Sequence, residues 1–207
     1  MPTDTTAARL VSAGRVLIAA HRGESCRAPE NTLPAFAAGV RAGADMVELD
    51  YFHSADGVPV VFHDKDLKRT TNARDVLGDD SQSISSLTLK EIHRLDAGEW
   101  FNPAFAGTHV PSLEEALDVI AAGSVALMER KGGDANTLVD LLRRKALVKR
   151  VVAQSFDWKF VADCRRFKPR PVGQAISKRG LRDIFSFQPA LRIDTQPEAV
   201  RLHLANV

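Results

Sequence analysis

Short apolar runs alternate along the chain with longer stretches of helical period. The runs at 16–20, 46–50, 59–62, 125–129, 151–154 and 172–175 predict strands. Several lack the in/out alternation of a half-exposed sheet, as expected where both faces are covered. Helices between them carry visible start signals. Thr32 leads into 33–42, which stops at Gly43. Thr88 with Glu91, and Ser112 with Glu115, have capping-box spacing ahead of apolar residues. Asp157 predicts the cap of a helix running to about 167. Strand–helix alternation implies parallel strands joined by right-handed crossovers, in an open doubly wound sheet or an eight-fold barrel. A nucleotide-binding sheet would show a glycine-rich turn after its first strand. The turn here is His21-Arg22-Gly23-Glu24, which favours the barrel. From 65 to 109 no strand is evident, and a segment of that length predicts an insertion or a cap.

Composition narrows the possibilities further. A chain of 207 residues, 44% apolar and 26% charged, predicts one soluble domain, 1–207, carrying the insertion. A net charge of +2 with scattered arginines and lysines gives no field for nucleic acid. Cys26 and Cys164 lie far apart, with no zinc-knuckle spacing and no disulfide framework. The N-terminal residues, with Asp4 and Arg9, lack the apolar core of a signal peptide. No run approaches the roughly 20 apolar residues of a membrane span, so cytoplasmic residence is the expectation.

Candidate chemistry collects at predicted strand ends. Glu48 and Asp50 sit at i and i+2, so they share one strand face about 7 Å apart. Two such carboxylates repel unless a cation lies between them, and an all-oxygen pair suits Mg²⁺ or Ca²⁺. Glu129 and Lys131 repeat the pattern after 125–128. A third carboxylate completes a hard-cation site, and the lysine offers charge to a phosphate oxygen. His21 and His63 each close an apolar strand and predict an acid and a base facing one substrate. His53, His93, His109 and His203 lack that context and read as surface or local contacts.

The quoted segments "HRG", "PENT", "GADMVELD", "DGVPVVFHDKDLKRTTN", "LDAGEWF" and "VPSLEEAL" resemble, in order and spacing, those of the glycerophosphodiester phosphodiesterases. "MERK" and "VVAQSFDW" continue the resemblance, which covers about 16 to 175. It implies a TIM-type barrel with a small insertion after the third strand. The implied activity is metal-assisted hydrolysis of glycerophosphodiesters to glycerol 3-phosphate and an alcohol. By position, Glu48, Asp50 and Glu129 match the ligands of the divalent cation, Mg²⁺ or Ca²⁺. His21 and His63 match the acid–base pair, and Arg22 and Lys131 the phosphate-binding groups. The resemblance further implies attack by the substrate's own neighbouring hydroxyl, giving a cyclic phosphate that water opens. Trp100 and Phe101, in the insertion, are candidates to cover the glycerol or alcohol moiety. Asn31 or Thr32 is expected to cap the next helix, and Glu30 to join a supporting network.

Beyond Ala175 the chain departs from the family pattern, with neither "WTVN" nor "GVDGIITD". A seventh strand at 191–193 and a final helix are expected, without an eighth strand–helix unit. The helical spacing of Ala199, Leu202 and Val207 predicts a gap beside the first strand. Alternatives to the glycerophosphodiester reading are a lysophospholipid-type phosphodiesterase and a truncated, non-catalytic barrel that binds phosphoesters. An oligomer is possible on either reading.

Overall fold

The computed structural model describes residues 6–11, 13–166, 176–177 and 200–202. A short helix α1 (Ala7–Val11) precedes strand β1 (Leu17–Ala20), helix α2 (Leu33–Arg41) and strand β2 (Met46–His53). Strand β3 (Pro59–Val61), α3 (Ala73–Leu77), α4 (Leu89–Ile92) and α5 (Leu113–Ile120) follow. Then come β4 (Val125–Arg130), α6 (Ala135–Arg144), β5 (Val151–Ser155), α7 (Trp158–Arg166), β6 (Ile176–Ser177) and β7 (Val200–Leu202). Strands β1, β2, β4, β5 and β6 lie side by side and parallel, with helices as crossovers. This is the α/β arrangement of a TIM-type barrel. Among the described residues, no helix is long and apolar enough to cross a membrane.

The two-residue period of the strands sorts their side chains. On one face Val47, Leu49, Tyr51, Ala126, Met128, Val151 and Ala153 are buried against α2, α5, α6 and α7. On the other, Leu17, Ala19, Met46, Val125 and Val152 form an apolar floor with Ala7 and Leu10 of α1. Above that floor, on the same face, the strands turn polar at Glu48, Asp50, Glu129 and Gln154. Burial of both faces explains the near-continuous apolar runs.

Both capping boxes form. Thr88 Oγ1 and Ser112 Oγ accept from the backbone N–H of Glu91 and Glu115, whose carboxylates reach back to the N-cap backbone. Asp157 accepts from the N–H groups of Lys159 and Phe160, as its placement before α7 predicts.

The structure corrects three expectations of the sequence. The segment at 59–62 is not a parallel barrel strand. β2 runs on to His53, turns at Ser54–Val58 and returns as β3, antiparallel, with Tyr51 opposite Val61. Five residues cannot make a parallel crossover, which needs a dozen or more. The second correction concerns the edge of β1. No gap lies beside it, because β7 pairs antiparallel with β1, Leu17 opposite Leu202 and Ala19 opposite Val200. Val200-Arg201-Leu202 is strand, not helix, since the unpaired N–H and C=O groups of an edge outweigh a weak helical period. Third, neither Asn31 nor Thr32 caps α2 through its side chain. Thr32 holds the N-cap position, but its hydroxyl donates to Pro29 O at 2.6 Å. The strands expected at 172–175 and 191–193 lie outside the described residues.

The insertion builds a small core of its own. Leu67, Ala73, Ile84, Leu87, Ile92, Leu95 and Ala97 pack with Val60, Phe62 and Val110.

Candidate active site

Three buried carboxylates meet above the apolar floor. Glu48 and Asp50 come from β2 and Glu129 from β4, whose register sets Asp50 opposite Glu129. One oxygen from each lies within 4.8 Å of the others, and all three residues are at most 6% exposed. Oxygens bound to one ion at 2.0–2.6 Å lie no more than about 5 Å apart, so the donor set fits a single hard cation. Lys131 Nζ lies 2.6 Å from Glu129 Oε1 and 3.1 Å from Asp50 Oδ1. Burial alone would lower the Lys131 ammonium, but these carboxylates outweigh it and raise it. Burial and the charges of Asp50 and Glu129 push the Glu48 carboxyl up to about 8. Gln154 Nε2 donates to Glu129 Oε2 at 3.4 Å from the next strand.

The turn after β1 brings His21 and Arg22 to the rim. Arg22 is in the left-handed region, φ +55°, and its backbone N–H donates to Glu48 Oε2 at 2.9 Å. Its Nη1 donates to Glu30 Oε1 at 2.9 Å, and its buried Nε is 3.4 Å from Asp50 Oδ2. His21 Nε2 stands 4.0 Å from Glu48 Oε2, with the ring half exposed. Burial and the Arg22 guanidinium lower its imidazole below the ordinary value.

His63 follows the return strand. Phe62 N–H donates to Asp50 O at 3.0 Å, so the hairpin sets His63 next to the acidic strand end. His63 Nδ1 is 2.6 Å from Asp64 Oδ1, and Arg69 Nε donates to Asp64 Oδ2 at 2.6 Å. Arg69 also donates to both oxygens of Glu30, at 2.7 and 2.8 Å. A continuous ionic chain thus runs from His63 through Asp64, Arg69 and Glu30 to Arg22. Burial pushes Glu30 up, but the Arg69 bonds and the Arg22 charge outweigh it and hold Glu30 below its ordinary value.

Glu48, Asp50, Glu129, Lys131, Arg22 and His21 therefore converge, with His63 joined through the ionic chain. Trp100 is placed by its own loop. Its Nε1 donates to Ala97 O at 2.8 Å, and its ring meets Phe101 edge-on. Among the described residues, no hydrogen bond, ion pair or ring contact joins Trp100 to the acidic cluster. Sequence reasoning missed Asn31, Asp64, Arg69 and Gln154. Asn31, at φ +57°, donates from Nδ2 to Asp50 Oδ2 at 3.1 Å and accepts the Asp50 N–H at 3.2 Å. These residues stand inside the quoted motifs, but only the folded turn shows what they touch.

Gly23 holds the turn together. Its φ is +83°, and an added Cβ would lie 2.6 Å from the Ala35 carbonyl carbon of α2. Gly23→Ala should cost at least about 1 kcal/mol in stability. It should also move Arg22, where a displacement of 1 Å can cost about 10²-fold in rate. Denaturation midpoint and turnover both matching the wild type would overturn this.

The fold and the site define a TIM-type barrel with an acidic cluster, fit for a hard cation, on its strand ends. The model of the glycerophosphoryl diester phosphodiesterase family matches residues 21–196. The chain is 33% identical over 181 residues to a glycerophosphodiester phosphodiesterase of Caldanaerobacter subterraneus subsp. tengcongensis, covering 86% of this chain and 65% of that protein. It is 33% identical over 179 residues to the Bacillus subtilis glycerophosphodiester phosphodiesterase, covering 77% and 59%. Among solved structures it is similar to the Agrobacterium tumefaciens glycerophosphodiester phosphodiesterase, with TM-score 0.65, 34% identity and coverage of 72% and 62%. It is also similar to an Oleispira antarctica phosphodiesterase in complex with the product sn-glycerol-3-phosphate, with TM-score 0.66, 27% identity and coverage of 81% and 66%. The chain belongs to the glycerophosphoryl diester phosphodiesterase family. It spans 59–65% of the length of these two curated relatives.

Proposed function

We propose that this protein hydrolyses glycerophosphodiesters to glycerol 3-phosphate and an alcohol, with Glu48, Asp50 and Glu129 holding a divalent cation, Mg²⁺ or Ca²⁺. The observation that carries this reading is the buried carboxylate triad with His21 and Arg22 at its rim. The product bound to the Oleispira antarctica relative supports the same substrate class for this chain. When bound, the cation would supply positive charge against that developing on the phosphoryl oxygens.

The remaining steps fall to the chain's own groups. Arg22 and Lys131 orient the phosphodiester and counter its charge, both held in place by Asp50. Of His21 and His63, one removes the proton of the attacking hydroxyl and the other protonates the leaving alkoxide. Asp64 accepts from His63 Nδ1, so proton exchange with substrate falls to Nε2. Trp100 is a candidate to cover the organic moiety from the insertion.

The purified protein should release glycerol 3-phosphate from glycerophosphocholine, lose that activity to a chelator and regain it with Mg²⁺ or Ca²⁺. Failure to release glycerol 3-phosphate, or turnover indifferent to the chelator, would overturn the reading. Preferential cleavage of lysophosphatidylcholine would favour the lipid alternative.

A further inference from the structure

A second group of metal-ligating side chains lies where the insertion meets α5. His93 is the C-cap of α4, His109 bridges Asp96, and Glu115 is the third residue of α5. His93 Nε2 is 3.7 Å from Glu115 Oε2, and His109 Nε2 is 3.6 Å from Glu115 Oε1. The two rings meet edge-on at 4.9 Å between centroids. One ligand atom from each of the three residues lies within 4.8 Å of the others. The side chains are 35–40% exposed, so one side of the group is open.

The spacing is informative. Hydrogen bonds from imidazole to carboxylate close to about 2.7–3.0 Å, and both rings stop short of that. Ligand atoms on one tetrahedral ion at 2.0–2.2 Å stand about 3.3–3.6 Å apart. The 3.7 and 3.6 Å gaps run to different oxygens of Glu115, and the three ligand atoms as a set lie within 4.8 Å of one another. Rotation of the part-exposed imidazoles has to close about 1 Å to reach the tetrahedral range. Glu115 is already oriented. Its Oε2 accepts from Ser112 N at 2.8 Å and Ser112 Oγ at 2.6 Å, while Oε1 faces His109. A carboxylate offers about four lone-pair sites, so capping and coordination are compatible. The cap then acts as the outer-shell support that fixes a metal ligand.

We propose that His93, His109 and Glu115 bind a transition ion of the imidazole-preferring class, Zn²⁺ foremost, with the fourth position open to water. Two imidazoles and one carboxylate favour such an ion, whereas the all-oxygen triad favours Mg²⁺ or Ca²⁺. Ligand chemistry would thus sort two ions between two sites in one chain. His93 and His109 enclose residues 94–108, which include Trp100, so the ion would tie both ends of that segment to α5. This site is independent of the phosphodiesterase reading.

The test uses the full chain, stripped with a chelator and re-equilibrated in excess Mg²⁺ to occupy the oxygen site. Titration of Zn²⁺ against a chromophoric chelator should give one equivalent that Mg²⁺ does not displace. Co²⁺ in its place should give the visible absorption of a tetrahedral site. His93→Ala and His109→Ala should each weaken Zn²⁺ binding by at least about 100-fold, since loss of an outer-shell partner alone costs 10–100-fold. Equal Zn²⁺ affinity in wild type and both variants, or Zn²⁺ displaced by Mg²⁺, would overturn the proposal. Should either variant fail to fold, labelling of wild-type histidines with diethyl pyrocarbonate decides. Protection of His93 and His109 by Zn²⁺ supports the site, and equal labelling with and without Zn²⁺ sinks it.

Discussion

Asp50→Asn should lower the turnover of glycerophosphodiesters by about 10³-fold or more without unfolding the protein. Asp50 is the hub of the cluster and is 1% exposed. It accepts from Asn31 at 3.1 Å and faces Lys131 at 3.1 Å and Arg22 Nε at 3.4 Å. Asparagine keeps the volume but removes one carboxylate of three. The cluster would then attract a divalent cation more weakly, and the two cationic side chains would lose their common anchor. Loss of Asp50 relieves its repulsion with Glu48 and Glu129 but also leaves Lys131 and Arg22 without that partner. The metal-free variant should therefore stay folded, with a Tm at or below that of the wild type. A ligand bound only by the folded state stabilises by about 2.7 kcal/mol at 100 times its Kd. Mg²⁺ or Ca²⁺ should therefore raise the Tm of the wild type and leave that of Asp50→Asn nearly unchanged. Wild-type kcat/KM, or an intact cation-induced Tm shift, would remove Asp50 from the site.

His21→Ala and His63→Ala should each lower kcat by about 10²–10⁴-fold. In contrast to Asp50→Asn, the cation-induced Tm shift should survive, because neither ring belongs to the carboxylate triad. The pair of readouts separates proton transfer from cation binding. Near-wild-type turnover in both variants would exclude these histidines from the chemistry. Asp64→Asn offers a graded comparison. It weakens the acceptor of His63 Nδ1, and its effect should be smaller than loss of the ring.

Much of the fold was legible where local chemistry and tertiary structure agree. The capping boxes at Thr88 and Ser112 and the buried runs of β2, β4 and β5 are encoded by spacing alone. Convergence of Glu48, Asp50 and Glu129 could be anticipated because the two-residue period of a strand fixes which side chains share a face. The direction of β3 was misread, although the short link from β2 already forbade a crossover. The pairing of β7 depends on what the edge of β1 requires, which no local window contains. Asn31 and Arg69 act through contacts spanning 19 and 39 residues of sequence, so neither residue type nor spacing revealed them. His93 and His109 close no apolar strand, and at 16 positions apart they are brought together only by the fold.

The bond from Arg69 to Glu30 has a mechanical consequence. The insertion departs from β3 and returns to α5. It is also tied to the β2–β3 turn, where Ala55 N–H donates to Leu87 O at 2.8 Å and Leu89 N–H to Asp56 Oδ1 at 3.0 Å. The paired contacts of Arg69 with Glu30 add a further fixed point, on the turn that carries Arg22. These ties, with the core shared with Val60, Phe62 and Val110, make the segment a braced wall and not a door. Strain applied to that wall would be felt directly at Arg22, through Glu30.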